Sequence, residues 1–117
     1  MALSLETRAE RDRTVVAISG DLDVRTTPQL RAHLAELGNR KVVVDLTSVE
    51  FLDATGLGVL VGALKRARTR HGSVQLVCPG GRIREVFAMT GLTCFFDIHG
   101  QLDAVPPSPR SAPSQAG

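Results

Sequence analysis

The run Asp53-Ala54-Thr55-Gly56-Leu57-Gly58 places a carboxylate, a hydroxyl and two glycines side by side, and these types suit the opening of a helix. An aspartate there caps the helix by accepting a hydrogen bond from an otherwise unpaired amide near Gly56. The free N–H groups and partial positive charge of a helix start also stabilise a phosphate or a carboxylate, so a hydroxyl at this spot would be a natural switch. Thr55 carries the only hydroxyl between Asp53 and Gly58.

The other reactive side chains form no such constellation. Asp21 and Asp23 are paired acids, but no third ligand stands at a spacing that fits a metal, and no metal site is assigned. His33, His71 and His99 share no motif with one another or with Cys78 and Cys94. No nucleophile, base and oxyanion arrangement is legible, so no catalytic residue and no enzymatic activity are assigned. The two cysteines read as free, buried thiols. Gly56-x-Gly58-x-x-x-Gly62 loosely echoes a dinucleotide fingerprint. A long gap between strand and glycines, and a following strand that ends in Cys78-Pro79 without a ribose-binding acid, argue against it, and no cofactor is expected.

The elements that position the Asp53 run are a strand before it and a helix after it. Val42, Val43, Val44 and Leu46 suit a short strand covered on both faces. Leu57, Leu60, Val61 and Leu64 then recur at helical spacing and predict the core face of a helix. Ala54, Gly58 and Gly62 fall on a second stripe with almost no side chain. Glycine inside a helix costs about 0.8 to 1 kcal/mol relative to alanine, so this stripe needs a reason. Either it packs closely on the chain's own sheet or loops, or a partner's backbone approaches it.

The rest of the chain alternates strands and helices. Leu3, Leu5 and Thr7 suggest a half-wet first strand, and Arg11-Asp12-Arg13 turns it into a second over Thr14 to Ser19 that Gly20 ends. Thr26 or Thr27 before Pro28 opens a helix with Leu30, Leu34 and Leu37 inward, closed by Gly38. The cations Lys65, Arg66, Arg68, Arg70 and His71 suit a helix C-terminus, with Gly72 closing the last turn. Ser73 to Cys78 predicts a strand, Arg82 to Met89 a helix with Ile83, Val86 and Phe87 inward, and Cys94 to Ile98 a last strand. An opening antiparallel hairpin followed by alternating elements implies an α/β fold, a mixed β-sheet with packed helices. Right-handed crossovers would set the Asp53 loop at the C-terminal end of the central strand.

At 117 residues the chain has room for a single domain, here residues 1–105. Proline and serine dominate from Pro106, so 106–117 is expected to be a disordered tail. A net charge of +2 and four phenylalanines without tryptophan or tyrosine give no platform for nucleic acid. No long apolar run suggests a signal peptide or membrane span, so a cytoplasmic protein is expected.

Asp53 to Gly58, preceded by Val43-Val44-Asp45-Leu46 and Val49-x-Phe51-Leu52, resembles the signature loop of bacterial anti-sigma-factor antagonists of the STAS family, usually Asp-Ser-Ser/Thr-Gly-Leu-Gly. Gly20-Asp21-Leu22-Asp23 with Thr27-Pro28 is similar to the family's Gly-Glu-Leu/Ile-Asp segment, and Gly91-Leu92 with Phe95 and Phe96 to its Ser/Thr-Gly-Leu ending. The resemblance runs from Leu3 to Asp103. It implies a single STAS-like domain that binds an anti-sigma factor with a kinase fold and releases the sigma factor. It also implies that Asp23, Asp53, Ala54, Thr55, Gly56, Leu57, Gly58 and Gly62 form the partner surface. A homodimer or other STAS proteins are further partners, and a scaffold without anti-sigma competition is the alternative role. One departure stands out: Ala54 occupies the position at which phosphorylated members carry their serine, so it cannot take a phosphate. Thr55 is then the possible acceptor, or it simply braces the helix start.

Overall fold

Runs of β-branched residues make two of the three inner strands of the sheet, and everything else is arranged about them. The computed structural model of the chain describes residues 3–10, 12–37, 41–102 and 105. Arg11, Gly38 and residues 106–117, expected to lie in a turn, to close a helix and to form a disordered tail, fall outside the described residues. The strands are β1 Ser4–Ala9, β2 Thr14–Leu22, β3 Lys41–Leu52, β4 Ser73–Val77 and β5 Asp97–His99. The helices are α1 Thr27–Glu36, α2 Ala54–Thr69 and α3 Arg82–Met89.

The five strands lie in the order β1-β2-β3-β4-β5, with β1 antiparallel to β2 and every later pair parallel. Each parallel step needs a crossover, and a helix supplies it. Val16, Ile18, Val42, Val44 and Leu46 from the sheet share one core cluster with Leu30, Leu34, Leu57, Leu60, Leu64 and Phe87 from the three helices. The helices therefore cover one face. On the other, Val15, Val43 and Val77 pack beneath Val105 and Leu102.

Several boundaries differ from the sequence expectation. Gly20 does not end β2: it sits at φ 106° inside the strand, which continues to Leu22 through register shifts against β3. An irregular register of this kind needs a backbone that tolerates positive φ. β3 runs to Leu52, so the strand reaches almost to the glycines and the long gap held against a dinucleotide site does not exist. Cys94 to Phe96 is not strand; Leu92–Cys94 forms a 3₁₀ turn and β5 is three residues long. The reason lies in the rings: Phe96 packs edge-on to both Phe87 and Phe95, at 5.9 and 5.7 Å between centroids, which an extended run would not allow. Cys78 is buried as expected, but Cys94 is exposed on that turn.

The end of α2 also departs from expectation. His71, not Gly72, takes the left-handed conformation, at φ 63°. The Gly72 N–H donates to the Ala67 carbonyl at 2.7 Å and the His71 N–H to the Arg68 carbonyl at 3.4 Å, the paired bonds of a Schellman close. Arg68 lies over the Phe95 ring at 5.2 Å, so this cation of the terminal run has a packing partner.

Candidate functional site

Asp53 is the whole connection between β3 and α2, and its carboxylate is committed inward along the chain. Its Oδ1 accepts the Thr55 N–H at 3.0 Å, the Gly56 N–H at 3.1 Å and the Thr55 hydroxyl at 2.5 Å. Its own N–H donates to the Leu22 carbonyl at 3.2 Å, which ties the helix start to the end of β2. The Thr55 hydroxyl, helped by the Gly56 and Thr55 amides, holds the Asp53 carboxyl below its ordinary value against the opposing effect of burial, which outweighs either amide alone. The carboxylate thus occupies the amides that a phosphate would use, so this helix start is a self-filled cap rather than an open anion cradle. For the same reason the glycine spacing does not make a dinucleotide site.

The structure separates the residues of this segment into two groups. Gly56 and Leu57 are buried. A Cβ on Gly56 would meet the Leu52 side chain at 2.7 Å, the Leu22 carbonyl oxygen at 2.9 Å and Leu22 Cβ at 3.0 Å. Gly56 is therefore the glycine that close packing within the chain demands, and with Leu57 it sets the position of the surface without facing outward. Ala54, Thr55 and Gly58 are exposed, and Gly62 is half-buried. A Cβ on Gly58 would meet nothing within 4 Å, and one on Gly62 only the flexible end of Arg66 at 3.4 Å. Packing on the chain's own sheet does not account for these two.

Asp23 lies at the same end of the sheet, because β2 and β3 finish together with Leu22 beside Leu52. Its Oδ1 accepts the Arg25 N–H at 2.9 Å and the Thr26 N–H at 3.2 Å, and the Arg25 guanidinium stands 3.8 Å from Oδ2. The Thr26 hydroxyl donates to the Asp21 carbonyl at 2.7 Å. Asp23 thus shapes the entry to α1, with 16% of its side chain left exposed.

Two residues at this end were not singled out by sequence reasoning. Val24 is 66% exposed and Phe51 is 49% exposed. Phe51 stands beside Asp21 in the register of β2 and β3, two residues before Asp53. The signal was present in Phe51-Leu52, since adjacent strand residues point to opposite faces and Leu52 is buried. Among the described residues no group of histidine, cysteine and carboxylate side chains could hold a metal, and no helix is long and apolar enough to cross a membrane.

Comparison with known proteins agrees with this fold. Residues 5–97 match the family described as Mlab, STAS domain. An anti-sigma-B factor antagonist of Staphylococcus aureus strain NCTC 8325 is 35% identical over 95 residues, covering 79% of this chain and 88% of that protein. Its counterpart in Staphylococcus epidermidis is 36% identical over the same shares. Among solved structures, an anti-sigma factor antagonist from Mycobacterium paratuberculosis superposes with a TM-score of 0.81 at 27% identity, over 87% of this chain and 89% of that one.

Proposed function

We propose that this chain, which belongs to the STAS domain family, is an anti-sigma factor antagonist that binds a kinase-fold anti-sigma factor through the exposed start of α2 and so frees a sigma factor in the cytoplasm. The observation that carries this reading is the bare stripe of Ala54, Gly58 and Gly62, in which Gly58 faces open space. A helix interior that gives up about 0.8 to 1 kcal/mol per glycine and gains no internal packing fits a surface that another backbone approaches closely. Likeness to antagonists over most of the chain supports the same assignment.

Ala54 is the first residue of α2 and is exposed, so a hydroxyl there would be open to a kinase. In this chain the position has none. A phosphate would bring about −1.5 to −2 charge into a closely packed contact, and a methyl group escapes that control. The antagonist is accordingly constitutive at Ala54, and the Thr55 hydroxyl serves to brace Asp53.

The test is displacement of a labelled sigma factor from each kinase-fold anti-sigma factor of the parent organism, with Mg-ADP or Mg-ATP present. Release in both nucleotides, with no gain of a phosphate by intact mass, is the expected result. Release that Mg-ATP abolishes, with one phosphate on Thr55, overturns the constitutive reading. Failure to displace any sigma factor, with capture of other STAS proteins instead, makes the chain a scaffold.

A further inference from the structure

Single exposed apolar side chains are ordinary on a protein surface, but Val24 and Phe51 are not placed singly. Phe51 stands near the C-terminal end of β3 and Val24 in the turn that follows β2, at the end of the sheet that also presents Ala54, Thr55 and Gly58. Nothing in the fold requires them: Leu22 and Leu52 already fill the core at this level, each 6% exposed or less. Charge around them is one-sided. Asp21 pairs with Phe51 across the strands, Asp23 precedes Val24 and Asp53 follows Phe51 by two residues, while Arg25 is the cation among these neighbours; Glu50 lines a separate cleft with Arg82. Asp53 is held ionised by its donors and Asp23 is fixed by backbone amides, so this acidic rim is built into the turns that hold the site.

We propose that Val24 and Phe51 are the apolar anchors of the partner contact, and that the surface they enter on the anti-sigma factor is an apolar pocket rimmed by basic side chains. This rests on the antagonist reading above and adds the chemistry of its partner. The bare stripe of α2 permits close approach but supplies little area to bury. Aromatic and aliphatic side chains inserted into a dry pocket supply it, and the carboxylates around them steer a basic partner into register.

The experiment measures association and dissociation rates of the full chain with each purified kinase-fold anti-sigma factor of the parent organism, bound to Mg-ADP. Phe51→Ala and Val24→Ala each speed dissociation by about tenfold, as truncated anchors do. Met89→Ala, which trims a side chain 84% exposed at the end of α3, leaves both rates unchanged. Asp21→Asn slows association, and added salt slows wild-type association, because steering is screened. Circular dichroism confirms that each variant is folded. If the wild type binds while Phe51→Ala and Val24→Ala match it, the anchors are wrong; if association ignores salt, the basic pocket is wrong. A wild type that binds none of these factors overturns the antagonist reading itself, and the anchors with it.

Discussion

At Asp53 a single carboxylate oxygen gathers three donors, and the stability of the helix start depends on keeping it ionised. Asp53→Ala removes the cap and is expected to cost about 1 kcal/mol in urea unfolding at neutral pH, with Asp53→Asn costing less because its side-chain carbonyl still accepts. The folded-state pKa is depressed, so the capping contribution is complete above the ordinary aspartate value and is lost as pH falls through the lower folded one. The gap between wild type and Asp53→Ala should therefore hold steady from neutral to mildly acid pH and close only in stronger acid. A gap that stays fully open in strong acid would mean that the charge on Asp53 plays no part. The cap itself was legible in the sequence because capping is a local affair of the four consecutive residues from Asp53 to Gly56. The role of Gly56 was not, since Leu22 and Leu52, the residues that press on it, come from two different strands.

Along α2 Gly56 and Gly58 do different work, and alanine substitution separates them. In Gly56→Ala the new methyl meets a backbone carbonyl oxygen at 2.9 Å that cannot turn aside, so a loss of about 1 to 3 kcal/mol is expected from overpacking. In Gly58→Ala the methyl meets nothing, and the helix should gain about 0.5 to 1 kcal/mol. If the bare stripe is the partner surface, Gly58→Ala is the variant that melts later yet binds the anti-sigma factor less tightly. Thermal unfolding and titration of the same two proteins check both halves, and a Gly58→Ala protein that is more stable and binds undiminished would remove the stripe from the interface. Helical periodicity made the core face readable in advance, although Val59, Ala63 and Ala67 widen it beyond the predicted residues and Val61 is only half-buried. Strand lengths were harder. Thr47, Ser48 and Glu50 interrupt the apolar pattern of β3, yet its second half is held by irregular pairing with β2, which no single segment announces.

Across the whole molecule, a sheet with helices on one face leaves its other face to be covered by something else, and local sequence patterns give no hint of what. Val15, Val43 and Val77 are each 1% exposed on that face because Val105 and Leu102 lie over them. The placement is fixed from both sides: Arg13 donates through Nη1 to the Val105 carbonyl at 3.3 Å, and the Val105 N–H donates to the Leu102 carbonyl at 3.0 Å. The sequence placed the domain edge at residue 105 but read no structure between the last strand and that edge. Val105 proves to be a core residue 92 positions away from the arginine that holds it. Val105→Ala should lower unfolding stability by about 1 to 2 kcal/mol, the value of the buried methyl groups it removes. Val105→Asp should cost more and increase binding of an apolar dye, because a charge cannot sit over the three valines and the segment must lift away. The site lies at the other end of the strands, beyond Leu22 and Leu52, whereas Val105 packs at the level of Val15 and Val43. Both variants should therefore keep the affinity of the wild type for its anti-sigma factor at temperatures where they remain folded. A loss of affinity in the folded Val105→Ala protein would show instead that the sheet transmits the packing of its second face to the start of α2.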